Sequence, residues 1–178
     1  MILIGSRVEL RGVEAADLDD RYRWLNNPDI VRYFTNLAKL PLTRSQLANW
    51  HEKTFKNERE LHFSVYTMHH QHIGGAQLKE IDWLNRSAEF GLFIGETEYW
   101  AKGYGMEITR LILTYAFETL NLHRVCLRVD KDNAAAVRCY QKCGLKQEGI
   151  FREEVFRDGK YHDSMIMSIL KKEWLSST

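Results

Sequence analysis

Near residue 100 the hydrophobic pattern changes period, and a glycine-bearing turn marks the change. Upstream, residues 61–67, 73–80 and 87–94 read as β segments, with alternating apolar positions and many β-branched and aromatic side chains. The His69-His70-Gln71-His72 group and residues 82–85 supply the turns between them, which predicts an antiparallel meander. Gly74-Gly75 is expected as a bulge, and Gly91 as a point where its strand kinks or splays. Downstream, Ile108, Leu111, Ile112 and Tyr115 stand at i, i+3, i+4 and i+7, the stripe of an amphipathic helix over residues 105–120. A further β segment follows at 125–129. A meander whose last strand feeds a helix and then another strand calls for a mixed sheet with the helix crossing one face.

The flanks extend this order. Residues 8–11 alternate like a strand, and Asp17 is placed to cap a helix carrying Leu18, Tyr22, Trp24 and Leu25, stopped by Asn26-Asn27-Pro28. After a short stretch at 30–34, Thr43-Arg44-Ser45-Gln46 has the form of a capping box that opens a helix toward residue 57, with Leu47, Trp50 and Phe55 as its apolar contacts. Residues 134–143 read as a helix ended by Gly144, and 148–157 with 163–170 as a hairpin turning at Asp158-Gly159. No repeat, linker or low-complexity segment divides the 178 residues, so one α/β (α+β) domain over 1–178 is expected, its mixed sheet holding about seven strands.

Charge and cysteine usage narrow the function classes. The formal net charge is +1, and Arg124, Arg128, Lys131 and Arg138 are interspersed with acids, so no basic stripe points to direct nucleic-acid binding. Residues 1–10 carry Arg7 and Glu9, and no stretch approaches the roughly 20 apolar residues of a membrane span. Cys126, Cys139 and Cys143 form an odd set without a CxxC pair, which suits a reducing compartment; a cytoplasmic protein without a membrane partner is the expectation.

The stretch Trp100-Ala101-Lys102-Gly103-Tyr104-Gly105-Met106-Glu107 lies between a strand and a helix start. Its glycines let consecutive N–H groups converge where unpaired helix donors and the dipole favour a phosphate. Taken alone, such a loop is also an ordinary connection. It is neither a dinucleotide fingerprint, since Ile108 stands where a third glycine or alanine belongs, nor a P-loop, since Gly-Lys-Ser/Thr is absent. Farther on, Asn133 is placed to cap a helix on which Val137 and Tyr140 share a face. His69, His70 and His72 lack a second ligand group, and His51-Glu52 is followed by Phe55 where a zinc motif needs histidine, so no metal is expected.

Three ordered motifs carry a family likeness: Tyr99-Trp100-Ala101-Lys102-Gly103-Tyr104-Gly105-Met106-Glu107, the run from Asn121 to Asn133, and Tyr140-Gln141-Lys142-Cys143-Gly144-Leu145. Together they resemble the GNAT N-acetyltransferases, in the branch that contains ribosomal-protein N-terminal and spermidine acetyltransferases. Trp24-Leu25-Asn26-Asn27-Pro28 and Phe156-Arg157-Asp158-Gly159-Lys160-Tyr161-His162-Asp163 extend the likeness over nearly the whole chain. Trp100 departs from the Gln or Arg that opens the family's glycine loop, which puts one side-chain contact in doubt and leaves the loop's amides intact.

The resemblance implies a sheet splayed at the coenzyme site, and acetyl-CoA as cosubstrate. Trp100, Lys102, Gly103, Tyr104, Gly105 and Met106 would hold its pyrophosphate. The backbone of Leu92, Phe93 and Ile94 would pair with the pantetheine arm, and Asn133 would contact the coenzyme or order its site. Tyr140 matches the family's acid near the sulfur; a phenol of pKa about 10 and a thiol of about 8.5 suit late proton donation. An attacking amine must be neutral, and Glu89 is the candidate base. Tyr33 and Phe34 are candidates for the acceptor pocket, and His162-Asp163 for an approach to it. The acceptor order the resemblance implies is a peptide N-terminal amine, then a polyamine, then an aminoglycoside. A polyamine site should carry several convergent acids, which Asp17, Asp19, Asp20, Glu52 and Glu89 could supply only if the fold brings them together. A non-catalytic acyl-CoA sensor is the reading from a different class, and the final hairpin offers strands that can pair across a homodimer.

Overall fold

The computed structural model describes residues 2–34, 41–54 and 56–176. One eight-stranded sheet runs through them in the order β1-β2-β3-β4-β5-β6-β8-β7. Its strands are β1 (Ile2–Ile4), β2 (Val8–Gly12), β3 (Leu61–Thr67), β4 (His72–Asp82), β5 (Ser87–Ile94), β6 (Arg124–Asp130), β7 (Lys146–Arg157) and β8 (Lys160–Leu170). Every neighbouring pair is antiparallel except β5 with β6. The helices are α1 (Leu18–Leu25), α2 (Pro28–Val31), α3 (Arg44–Thr54), α4 (Tyr104–Thr114), α5 (Ala134–Lys142) and α6 (Lys171–Leu175).

Helix α4 provides the crossover that makes β5 and β6 parallel, as the change of hydrophobic period requires. Ile108, Ile112 and Leu113 are fully buried against Phe90, Leu127 and Met167 in one continuous core. The helix ends in a single π turn, Tyr115–Thr119, which keeps Tyr115, Ala116 and Phe117 buried.

Several local expectations are corrected. The eighth strand is β1, held to β2 by a tight turn in which the Gly5 N–H donates to the Val8 carbonyl over 2.8 Å; three residues were too few to show a period. Residues 28–31 form a helical turn capped by the Asn27 side chain on the Asp29 N–H, with Pro28 at its first position. Asp17 does not cap α1: its side chain is buried and accepts from the Ser64 and Tyr66 hydroxyls and the Glu14 N–H. The bulge in β4 falls at Ile73, between the pairs Val65–Gly74 and Tyr66–His72, one residue before the glycine pair. His72 consequently belongs to the strand and is buried between Tyr66 and Trp24, whereas His69 and His70 stay in the exposed turn.

The capping box of α3 is formed, with Thr43 N–H donating to Gln46 and Gln46 N–H to the Thr43 hydroxyl. Leu47 is its buried contact, while Phe55 lies outside the described residues. Helix α6 was not anticipated, and its Trp174 closes the core against Phe117.

Candidate active site

The sheet opens where the parallel pair ends. Strands β5 and β6 are registered only at Ser87–Arg124, Ala88–Val125 and Glu89–Cys126. Beyond Glu89 the edge of β5 that faces β6 has no strand partner, and neither has the β5-facing edge of β6. On its other edge β5 stays paired with β4, and the Gly95 N–H donates to Ile73 over 2.8 Å. By alternation, the backbone groups of Leu92 and Ile94 face the opening.

A cleft of about 710 Å³ occupies this opening and continues over the face covered by α1 and α3. Seven of the site candidates singled out from the sequence line it. Glu89, Leu92 and Phe93 come from β5, Asn133 and Tyr140 from the start and body of α5, and Tyr33 and Phe34 from the chain after α2. Phe34 meets the Phe93 ring edge-on at 5.7 Å. Asn133 caps α5, its carbonyl oxygen accepting from the Ala136 N–H, so its amide nitrogen is left for the cleft. The Tyr140 ring packs edge-on against Phe90, and its hydroxyl has no hydrogen-bond partner among the described residues. Burial pushes that phenol well above its ordinary range, so it remains a proton donor.

Glu89 lies opposite Lys79 in the β4–β5 register and pairs with it at 2.9 Å. The remaining expected acids do not converge. Asp17 is consumed inside the core, Asp19 pairs with Arg44, Asp20 with Arg23 and His72, and Glu52 is exposed on α3. Of the five, Glu89 alone lines the cleft, and Glu80, Asp130 and Glu154 line it instead. Asp130 is held by Arg157, and Glu154 by Arg128 and Ser164. His162 and Asp163 stay outside: His162 bonds Asp132 at 2.6 Å, and Asp163 accepts from the Glu153 N–H in a bulge of β7.

The glycine loop lies at the N-terminus of α4. Gly103 is the N-cap with φ +87, a conformation that only glycine adopts without strain, and the first-turn N–H groups of Tyr104, Gly105 and Met106 lack helical partners. Arg7, which sequence reading did not single out, braces the loop from β2's side. Its guanidinium donates to the Lys102 carbonyl over 3.0 Å and to Glu107 over 2.8 Å, and stacks 4.7 Å from the Tyr104 ring. Burial pushes the Glu107 carboxyl up, but hydrogen bonds from the Arg7 backbone and side chain and from Ser6 outweigh it and hold it below its usual range. Trp100 supplies a link the sequence did not reveal: its indole N–H donates to the Ile94 carbonyl over 2.8 Å, tying the loop to the end of the splayed strand.

Residues 7–146 match the family model described as an acetyltransferase (GNAT) domain. The chain belongs to the GNAT acetyltransferase family. This GNAT chain is similar to the spermidine N(1)-acetyltransferase of Vibrio cholerae, at 32% identity over 173 residues, covering 97% of this chain and 98% of that one. It is 31% identical to the Escherichia coli K12 spermidine N(1)-acetyltransferase over 169 residues, covering 95% and 89%. A putative ribosomal N-acetyltransferase of Bacillus subtilis is 37% identical over 103 residues, 57% of this chain and 55% of that one. Among solved structures, spermidine N-acetyltransferase from Vibrio cholerae in complex with CoA and spermine superposes with a TM-score of 0.90 at 33% identity, covering 96% and 99% of the two chains.

The GNAT chain is an acetyl-CoA-dependent N-acetyltransferase. Its own features fit the coenzyme. Backbone groups without a strand partner border the opening, and a helix N-terminus with free donors is tied to its end through the Trp100–Ile94 bond. No helix among the described residues is long and apolar enough to cross a membrane.

Proposed function

We propose that this enzyme is a polyamine N-acetyltransferase, moving the acetyl group of acetyl-CoA onto a primary amine of spermidine or a similar polyamine by direct attack. The observation that carries this reading is the likeness over 96% of the chain to a spermidine acetyltransferase solved with CoA and spermine. The peptide N-terminal acceptor, expected first from the two ends of the chain, gives way because its ribosomal relative matches only 57% of the sequence.

Acetyl-CoA supplies an activated acetyl thioester when bound. The residues proposed to hold it are the α4 N-terminus from Gly103 to Met106 with Lys102 and Trp100 at its edge, the gap-facing backbone of Leu92 and the Ile94 N–H, and Asn133. Glu89 is proposed to accept the amine's proton, directly or through a water. Its pairing with Lys79 at 2.9 Å fixes its direction. Tyr140 gives a proton to the departing sulfur, a role supported by a buried, unpartnered hydroxyl on the cleft wall. A backbone N–H at Leu92 faces the opening and is proposed to stabilise the charge that develops on the thioester oxygen. Tyr33 and Phe34 would border the aliphatic part of the acceptor.

The test is release of CoA thiol from acetyl-CoA across spermidine, spermine, ribosomal-protein N-terminal peptides and aminoglycosides. Release with the polyamines, and little with the others, is expected. Release with peptides alone would return the enzyme to the first reading, and coenzyme binding without any release would favour an acyl-CoA sensor.

A further inference from the structure

Arg21 is the largest electrostatic oddity in the cleft. It projects from α1 between α3 and the sheet, is only 4% exposed, and lines the same cleft as Glu89 and Tyr140. Its guanidinium lies 5.2 Å from the Trp50 ring and 5.7 Å from the Phe93 ring, over Gly75, where a Cβ would stand 2.8 Å from its Nη2. Nη2 donates to the Phe63 carbonyl over 2.9 Å, Nε is buried without a partner, and no carboxylate pairs with the group among the described residues. Burial lowers its pKa to about 10, so it remains a cation at neutral pH.

We propose that Arg21 is a buried positive pole that lowers the proton affinity of the acceptor amine bound in the cleft, and so raises the fraction of neutral nucleophile. The inference rests on the reading of this site as an amine acetyltransferase. A free alkyl amine, like a lysine side chain with pKa about 10.4, is almost wholly protonated at pH 7 and cannot attack. Glu89 alone does not remedy that, since an anion beside the amine favours the ammonium form.

The other charges facing this region oppose Arg21's field only in part. From the turn before α1, the Asp17 carboxylate, bonded to Ser64, Tyr66 and the Glu14 N–H, opposes part of that field. From β3, His62 with Glu60, and from β4, His72 with Asp20, are histidines whose pKa burial pushes down, with Arg21 adding to the effect. Lys79 on β4 and Glu89 on β5 compensate each other, as do Arg128 with Glu154 and Arg157 with Asp130 across the opening, while Glu80 on β4 is exposed and screened by solvent. Phe93, over which Arg21 lies, directly follows Leu92, whose backbone borders the opening. One unit charge roughly 10 Å away at an effective dielectric of about 20 moves a titration by about one pH unit.

The experiment is the pH dependence of kcat and of kcat/KM for spermidine at saturating acetyl-CoA, in the full chain and in Arg21→Met and Arg21→Lys. The kcat profile reports groups in the bound complex, and kcat/KM those of free enzyme and free amine. In Arg21→Met the acidic limb of kcat is expected to move up by about one pH unit, a loss of about tenfold in rate on that limb that recovers at high pH. The limb of kcat/KM set by the free amine stays in place, and Arg21→Lys keeps the parent profile. Should Arg21→Met not fold, Arg21→Gln, which retains a donor for the Phe63 carbonyl, takes its place. A pH-independent loss, or an unmoved kcat limb in a variant that still binds CoA, would overturn the inference alone. Movement of the limb in both profiles would assign the shift to Glu89 and overturn it as well, and a parent enzyme inactive on every amine would overturn the inference together with the proposed function.

Discussion

Tyr140→Phe removes one oxygen from a wall position that already packs well, so its effect falls on chemistry. We expect kcat with spermidine to fall by about 100-fold or more, the usual worth of a general acid, with acetyl-CoA affinity little changed. A loss confined to coenzyme affinity would count against the acid role. Because burial raises the phenol's pKa, kcat of the parent enzyme should show no decline from Tyr140 ionisation up to pH ~10. Glu89→Gln is expected to lower kcat by a similar order, and more than it raises KM for the amine. Tyr140 stands out in the sequence as a candidate because it opens a family motif, and Glu89 because it begins the strand expected to splay. Lys79 does not, since its place opposite Glu89 depends on the β4–β5 register. Arg21 left a signal that could have been read: it stands three before Trp24 and four before Leu25, on the apolar stripe of α1, where a charge asks for an explanation.

At the scale of elements, the turn into α4 depends on a conformation rather than on a side chain. Gly103→Ala must hold an L residue at φ +87 with its Cβ 3.3 Å from an Arg7 nitrogen. The strain is about 1–2 kcal/mol and should appear as a raised KM for acetyl-CoA at nearly unchanged kcat, checked by steady-state kinetics at saturating amine. A fall in kcat alone would place the loop elsewhere in the cycle. The meander, the amphipathic helix, the capping box of α3 and the final hairpin were all readable because each carries a period or a turn signature. What escaped was set by partners distant in sequence: β1 needs β2 to exist, Asp17 is recruited by Ser64 and Tyr66, and Trp100 finds Ile94 only once the strand has splayed.

The molecule as a whole ties its helical layer to the sheet through Asp17, and this makes stability depend on pH. Burial raises the Asp17 pKa, but the Glu14 N–H, the Tyr66 and Ser64 hydroxyls and nearby His72 outweigh it, so the folded value lies below the unfolded one. The stabilisation is therefore present above pH about 4 and is lost as pH falls through the lower, folded value. Thermal melting should show Tm declining below pH about 4, and Asp17→Asn should lower Tm at pH 7 while flattening that decline; an unchanged slope would remove Asp17 from the account. The mixed sheet, the opening between β5 and β6 and the glycine loop followed from the order of elements and the family motifs, whereas the acceptor did not, because the cleft wall is assembled from α1, α3, β4 and β7 as well as from the splayed strands. The most direct test of the polyamine assignment is a competition: equal concentrations of spermidine and a ribosomal-protein N-terminal peptide, limiting acetyl-CoA, and mass spectrometry of both products. The account predicts that spermidine carries nearly all the acetyl groups; acetylation of the peptide in preference to spermidine would contradict it.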